Sequence, residues 1–248
     1  MSGVLVVTGG SRGIGAATAV KAAGRGYDVA LNYRSNAAAA AEVTAAVEAA
    51  GRKAIAVAGD VADEGDVLTL FGRAGAELGP ITAVVNNAGI LHEQARLDTF
   101  SKARLDEVMA VNVVGAFLVA REAVRAMSTA HGGAGGAMVN VGSAASYLGS
   151  PNEFIDYAAT KGAIDTMTIG LAREVATEGV RVNCVRPGLI HTDIHALSGE
   201  EARVERLAPN VPMQRGGDAD EVADAILYLL SDEAGYVTGS LLNVSGGR

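Results

Sequence analysis

The chain has 248 residues, 49% of them hydrophobic and 19% charged, which is ample for a buried core and excludes a disordered chain. Its 28 acidic and 20 basic side chains leave a formal charge of -8, with no Lys/Arg cluster to neutralise a row of phosphates, so nucleic-acid binding is excluded as its main function. No run reaches the roughly 18 apolar residues of a membrane span and no signal-type apolar region precedes the first glycines, so a cytoplasmic protein with no membrane partner is expected.

Short β-branched runs alternate with longer Ala-rich stretches of helical period. Val4 to Thr8 reads as a strand, followed by a helix from about Gly13 and a strand from Asp28 to Tyr33. The alternation continues with helix Asn36 to Ala50, strand Ala54 to Ala58, helix Asp63 to Leu78 and strand Ala83 to Asn86. The second half holds a long helix near Lys102 to Met127, a strand from Ala137 to Val141, a helix from Tyr157 to Thr177 and a strand from Val180 to Val185. Cys184, the single cysteine, falls in that apolar strand; it has no partner for an internal disulfide, and a buried thiol in a reducing compartment is expected. A helix from Asp218 to Leu230 and a strand from Leu241 to Val244 complete the series.

Each parallel crossover lays a helix over the sheet, so this order predicts an α/β, Rossmann-type, doubly wound parallel sheet of seven strands with helices on both faces. No Pro/Ser linker or fixed-period repeat divides the chain, which is therefore expected to form a single domain over residues 1–248. Gly132 to Gly136 reads as a surface connection. The longer irregular stretch Gly188 to Asn210 reads as a substrate lid, with a helical portion from Ser198 to Leu207.

After the first strand comes Thr8-Gly9-Gly10-Ser11-Arg12-Gly13-Ile14-Gly15, leading into a helix. Glycine permits a tight turn and close approach of a pyrophosphate, and a helix N-terminus offers unpaired N–H groups and a favourable dipole. The spacing departs from G-x-G-x-x-G and lacks the Lys-Ser/Thr ending of a P-loop, which favours a dinucleotide over a nucleoside triphosphate. A glycine-rich corner can also serve packing alone. The second strand ends Asn32-Tyr33-Arg34-Ser35, with no carboxylate to hold an adenosine ribose. Arg34, Ser35 and Arg12 suit a 2′-phosphate, so NADP(H) is expected over NAD(H).

Ser143 follows the Ala137 to Val141 strand and so stands at its carboxyl end, where ligands of open α/β sheets bind. Tyr157 and Lys161 share one helix face through their i, i+4 spacing. A phenol near its free pKa of about 10 is a poor base at neutral pH, and a neighbouring cation favours the phenolate. Tyr157 can then exchange a proton with a substrate oxygen while Ser143 hydrogen-bonds the same atom. A lone Tyr-x3-Lys is weak evidence, because such pairs arise by chance on many helices. His191 and His195 have metal-ligand spacing but lack a Glu after the first His, and hydride chemistry needs no bound metal, so none is expected.

Taken together, Thr8-Gly9-x3-Gly13-Ile14-Gly15, Asp60-Val61, Asn86-Asn87-Ala88-Gly89, Asn112, Ser143, Tyr157-x3-Lys161 and Pro187-Gly188 resemble the short-chain dehydrogenase/reductase family over essentially the whole chain. Within it the chain is most similar to the bacterial group of 3-oxoacyl-(acyl-carrier-protein) reductases and glucose or ribitol dehydrogenase-like proteins. The resemblance implies that Asp60 and Val61 hold the adenine, that Asn87, Ala88 and Gly89 line the cofactor cleft, and that Pro187, Gly188, Ile190 and Thr192 position the nicotinamide. It also implies that Lys161 grips the nicotinamide ribose, that Asn112 binds a water leading from Lys161 to solvent, and that the protein is a homotetramer built partly through the helices of Asn112 and Tyr157. Asn243 stands where many relatives carry an acid, outside the chemistry.

The expected function is hydride transfer between NADP(H) and a small carbonyl or alcohol, with Leu148, Pro151 and Phe154 beside the substrate. A 3-oxoacyl-(acyl-carrier-protein) reductase ranks second. Its acidic partner needs a basic rim, and although Arg173 is available, Ser128 to Ala137 contains no Lys or Arg. A catalytically idle NADP(H)-binding regulator ranks third, since it has no physical need for Asn112, Ser143, Tyr157 and Lys161 together.

Overall fold

The computed structural model describes residues 3–192, 199–200 and 202–248. Its strands are β1 (Gly3–Val7), β2 (Tyr27–Tyr33), β3 (Ala54–Ala58), β4 (Ile81–Asn86), β5 (Gly136–Val141), β6 (Val180–Pro187), the two-residue β7 (Ile190–His191) and β8 (Gly217–Asp218), and β9 (Leu241–Val244). Seven of them form one sheet in the order β3-β2-β1-β4-β5-β6-β9, every neighbouring pair parallel. The order in which successive strands join the sheet reverses between β1 and β4, all strands staying parallel, which opens a crevice at their carboxyl ends. The pair β7 and β8, absent from the sequence reading, is a separate parallel bridge of Ile190 with Gly217 and His191 with Asp218. Two residues are too few for an alternating pattern to register.

The sheet is buried on both faces, as the Val-rich runs require. In β1, Val4 and Val6 point into one core with α3 (Glu64–Leu78), α5 (Ala116–Met127) and α7 (Ile155–Glu174). Leu5 and Val7 point into the other, with α1 (Gly13–Gly24), α2 (Ala37–Ala49) and α9 (Ala219–Leu230). This period-two division places the two helix layers. Fully buried Leu5, Leu31 and Leu70 anchor it, and truncating any of them to Ala costs about 2–5 kcal/mol. Helix starts follow capping chemistry: Asn36 accepts the Ala39 N–H at 3.0 Å, Asp63 accepts that of Asp66 at 3.0 Å, and Asp218 with Glu221 forms a capping box.

Several boundaries differ from expectation. The helix expected over Lys102 to Met127 is three pieces: α4 (Lys102–Met109), a π-helical segment from Ala110 to Gly115, and α5. A π turn keeps the apolar spacing of a helix nearly intact, so periodicity does not reveal it; such turns concentrate at functional sites. Helix α7 starts at Ile155, before Tyr157, and ends at Glu174, with Ala176–Glu178 in a 3-10 turn closed by left-handed Gly179. Short α6 (Ala145–Leu148) follows Ser143. Gly136 opens β5 instead of belonging to the preceding connection. The expected lid contains β7, a short α8 (Arg203–Leu207) and a 3-10 turn at Ala208–Asn210. His195, and Ser198 at the start of the expected lid helix, lie outside the described residues.

Candidate active site

The turn after β1 is tied to the end of β4 by reciprocal bonds across the crevice. The Thr8 hydroxyl accepts the N–H groups of Asn87 and Ala88 at 2.9 and 3.0 Å, and Asn87 Nδ2 donates to the carbonyls of Thr8 and Gly9 at 2.9 and 3.1 Å. Gly9 has a left-handed φ of 62°. A Cβ on Gly15 would stand 2.4 Å from the Gly9 oxygen and 2.7 Å from Asn87 Nδ2, so only glycine closes this turn. Arg12 is the N-cap of α1 and makes no side-chain cap bond, leaving the first-turn N–H groups to an outside anion. A narrow backbone cradle at an uncapped helix N-terminus fits a pyrophosphate.

Asn32, at the end of β2, braces the same region: its Nδ2 donates to the Gly59 carbonyl at 2.8 Å and its Oδ1 accepts the Gly9 N–H at 3.4 Å. Sequence reasoning missed it, although an Asn inside an apolar strand is the available signal. Beyond it, the Arg34 side chain is 60% exposed, with Nε 3.3 Å from Asp60 Oδ2 and Nη1 3.8 Å from Glu107. An exposed pair of this kind contributes about 0–1 kcal/mol, so Arg34 is free to turn toward a stronger anion.

On the other side, Ser143 follows β5, and its Oγ accepts the Ala145 N–H at 3.1 Å, leaving the hydroxyl proton available. Lys161 is buried. Its Nζ donates to the Val141 carbonyl at 2.7 Å and lies 5.5 Å from the centre of the Tyr157 ring. The ammonium is therefore anchored to the strand that carries Ser143, near the phenol. Asn112, in the π segment, bonds both backbone groups of Ile90: Oδ1 accepts its N–H at 2.7 Å and Nδ2 donates to its carbonyl at 2.9 Å. A Cβ on Gly89 would stand 3.3 Å from Asn112 Oδ1 and 3.7 Å from Lys161 Nζ, so only a glycine-sized gap separates those groups.

A cleft of about 940 Å³ joins the two sides. Gly9, Ser11, Arg12, Gly13, Ile14, Arg34, Ser35, Asp60, Val61, Asn87, Ala88, Gly89, Ser143, Tyr157, Lys161, Pro187, Gly188, Ile190 and Thr192 all line it, as do Leu148, Pro151 and Phe154. Two sequence candidates do not: Gly15 lies beneath the turn, and buried Asn112 sits behind Gly89 with its side-chain amide committed to Ile90. The Asn112 side chain thus braces Ile90 beside Gly89.

The chain also brings charged residues to this end of the sheet that spacing alone does not mark. Asp156, directly before Tyr157, takes a two-pronged bond from Arg104 of α4 at 2.7 and 3.2 Å, and Arg104 Nη1 also donates to the Glu93 carbonyl at 2.8 Å. Glu153 and Arg203 line the cleft as an ion pair. Beneath the site, Arg186 of β6 holds Asp165 of α7 at 3.0 and 2.7 Å. Burial, aided by Asp165, pushes the Cys184 thiol up to about 12. Among the described residues no group of three or more His, Cys, Asp or Glu could hold a metal, and no helix is long and apolar enough to cross a membrane.

Comparison with known proteins gives the same lineage. A family model described as Enoyl-(Acyl carrier protein) reductase matches residues 9–248. The chain is 53% identical over 245 residues to "Uncharacterized oxidoreductase YgfF" of Escherichia coli (strain K12), covering 99% of each chain. It is 33% identical over 242 residues to the 3-oxoacyl-[acyl-carrier-protein] reductase FabG of Staphylococcus aureus (strain Mu50 / ATCC 700699), covering 98% of this chain and 96% of that one. Among solved structures, a short chain dehydrogenase from Burkholderia cenocepacia J2315 in complex with NADP superposes with a TM-score of 0.90 at 34% identity, over 98% of this chain and 96% of that one. With its parallel seven-stranded sheet and this shared descent, the chain belongs to the short-chain dehydrogenase/reductase family of oxidoreductases.

Proposed function

We propose that the chain transfers hydride between NADP(H) and a small carbonyl or alcohol, with Tyr157 as the acid/base. The carrying observation is that Ser143, Tyr157 and Lys161 open on the same cleft as the glycine turn, with Lys161 Nζ fixed to the Val141 carbonyl at 2.7 Å. A bound nicotinamide supplies or accepts the hydride. In the reducing direction the Ser143 hydroxyl donates to the substrate oxygen and Tyr157 delivers the proton that the developing alkoxide needs. The Lys161 ammonium, fixed near the Tyr157 ring, faces the negative charge left as the proton departs, and a proton from solvent restores the phenol for the next turnover. Asn112 keeps Gly89 and Ile90 in place beside Lys161.

In this reading the first-turn N–H groups of α1 hold the pyrophosphate, Asp60 and Val61 flank the adenine, and Pro187, Gly188, Ile190 and Thr192 support the nicotinamide. Arg34 and Arg12, with Ser35, favour the 2′-phosphate. A charge-assisted hydrogen bond contributes about 1.5–3 kcal/mol, more than the exposed Arg34 pair with Asp60. NADP bound to the Burkholderia cenocepacia structure supports this choice.

The FabG relative supports acyl-carrier substrates as a second reading. The acidic balance and the absence of Lys and Arg between Ser128 and Ala137 rank it below free carbonyls. The working form is proposed to be a single-domain subunit of a cytoplasmic homotetramer: Met109, Val114 and Phe117 expose a row of large apolar side chains along α4, the π segment and α5 that a second copy would cover. Light scattering tests the assembly. NADPH oxidation, followed optically with a panel of dicarbonyls, aldoses and 3-oxoacyl thioesters, tests the chemistry, and no turnover of any carbonyl would overturn it.

A further inference from the structure

The substrate half of the cleft contains a charge pair that proton and hydride transfer do not use. Arg203, from α8, presents Nη1 and Nη2 to the two carboxylate oxygens of Glu153 at 2.9 and 2.6 Å, with its side chain only 8% exposed. The guanidinium also lies 5.2 Å from the centre of the Phe154 ring. Glu153 is held there by a tight turn. Ser150 and Asn152 adopt left-handed φ values of 46° and 62°, the Glu153 N–H donates to the Ser150 carbonyl at 3.2 Å, and the Glu153 carbonyl accepts the Ala95 N–H at 3.1 Å. Backbone conformations this costly persist only where the surroundings over-determine them, and they cluster at ligand clamps. The turn leads straight into the helix of Tyr157.

We propose that, given the carbonyl-reductase reading above, Glu153 and Arg203 are specificity-determining residues that select a short, neutral carbonyl compound with a second oxygen beside the reacting one: a hydroxyketone, a hydroxyaldehyde or a dicarbonyl. The Arg203 guanidinium is almost wholly removed from water while Glu153 stays partly exposed, and a charge so removed is repaid only when its remaining N–H groups find partners. The mutual bonds engage two of the five guanidinium N–H groups and one direction on each carboxylate oxygen, and Glu200 adds a longer ion pair with Nη1 at 3.7 Å that leaves the other N–H groups open. Since both residues line the cleft, a ligand filling it must complete the set. A hydroxyl satisfies Glu153 as donor and Arg203 as acceptor, and a second carbonyl satisfies Arg203. A substrate carboxylate meets the charge of Glu153, and an alkyl tail displaces water without replacing its hydrogen bonds.

Length is restricted by the same elements. Glu200 accepts from Gln94 Nε2 at 2.7 Å, which ties the lid side to the segment after β4, and the Arg203–Glu153 pair ties it to the turn before Tyr157. Of these ties the Glu153–Arg203 pair borders the cleft, so a short molecule is expected to leave it intact and a long acyl chain to press on it.

The test compares acetoin and 2,3-butanedione with 2-butanone, using the full-length protein and NADPH. Electronic activation differs among these ketones, so the quantity that decides is the preference ratio in kcat/KM for wild type divided by that for Arg203→Met and Glu153→Gln, with folding checked by thermal melting. Loss of the paired contact should shrink the ratio by about tenfold, the effect of one good hydrogen bond. Glu153→Gln keeps the shape of the side chain, so it decides the matter if Arg203→Met does not fold. Calorimetry adds a readout independent of turnover: 2,3-butanediol should bind the NADPH complex of wild type more tightly than 2-butanol, and the advantage should vanish in both variants. Equal loss on all three ketones, with no diol advantage, would overturn the inference while leaving the carbonyl-reductase reading intact. Inactivity of wild type toward every carbonyl would overturn both.

Discussion

The side-chain amide of Asn112 is bonded at both ends to one residue, Ile90, accepting its N–H at 2.7 Å and donating to its carbonyl at 2.9 Å. This ties the π segment to the backbone that follows β4, directly behind the gap between Gly89 and Lys161. Replacing Asn112 by Ala leaves both Ile90 groups without these partners. Stability should fall by about 2 kcal/mol or more, lowering Tm by roughly 4–8 °C in a chain of this size. Turnover should fall as well, because Gly89 and Ile90 line the cleft. A melting temperature within a degree of wild type would show that the double bond does not hold this segment.

The proposed preference for NADP(H) rests on Arg34 turning from Asp60 to a 2′-phosphate. Wild type should prefer NADPH over NADH by roughly 10- to 100-fold in kcat/KM for one such contact. Arg34→Asp sets a carboxylate against the phosphate and offers an acceptor to a ribose hydroxyl, so the preference should shrink or invert. An unchanged ratio, or a wild type that favours NADH, would refute the assignment of Arg34.

Cys184 is fully buried, with its thiol pushed up to about 12, chiefly by burial. The neutral thiol is a poor nucleophile, so a disulfide reagent should leave it unmodified in the native protein at pH 8 and label one thiol in denaturant. Because the folded protein holds this proton to higher pH than the unfolded chain, the linkage acts against the fold as pH rises above about 9 and the unfolded thiol ionises. Rapid labelling without denaturant would show that β6 opens readily.

Acyl-carrier substrates should gain little over a small thioester mimic, since steering of a strongly acidic partner requires a basic rim. A carrier-bound substrate that reacts far faster, with the gain abolished by high salt, would reverse the ranking of the two enzymatic readings.

The sheet was legible because its buried strands are short β-branched runs separated by helical periods, and each crossover then has one sensible placement. The turn from Gly9 to Gly15 and the Tyr157/Lys161 pair were legible because each is local, set by a bend or by one helical turn. Contacts made by the fold alone were not. Glu153 and Arg203 are 50 residues apart and Arg104 and Asp156 are 52 apart, and no periodicity pairs such positions. The π segment at Asn112 escaped for a different reason, since widening one turn hardly alters an apolar pattern.

The central claim is that Tyr157 exchanges the proton that accompanies hydride transfer, and Tyr157→Phe addresses it by deleting a single oxygen. With the best carbonyl of the panel and saturating NADPH, single-turnover measurements should show the chemical step slowed by roughly 10²- to 10⁴-fold, the usual loss of a positioned acid. NADPH affinity, measured by fluorescence titration, should stay nearly unchanged. A Tyr157→Phe variant that turns over at a near-normal rate would contradict the role assigned to this residue.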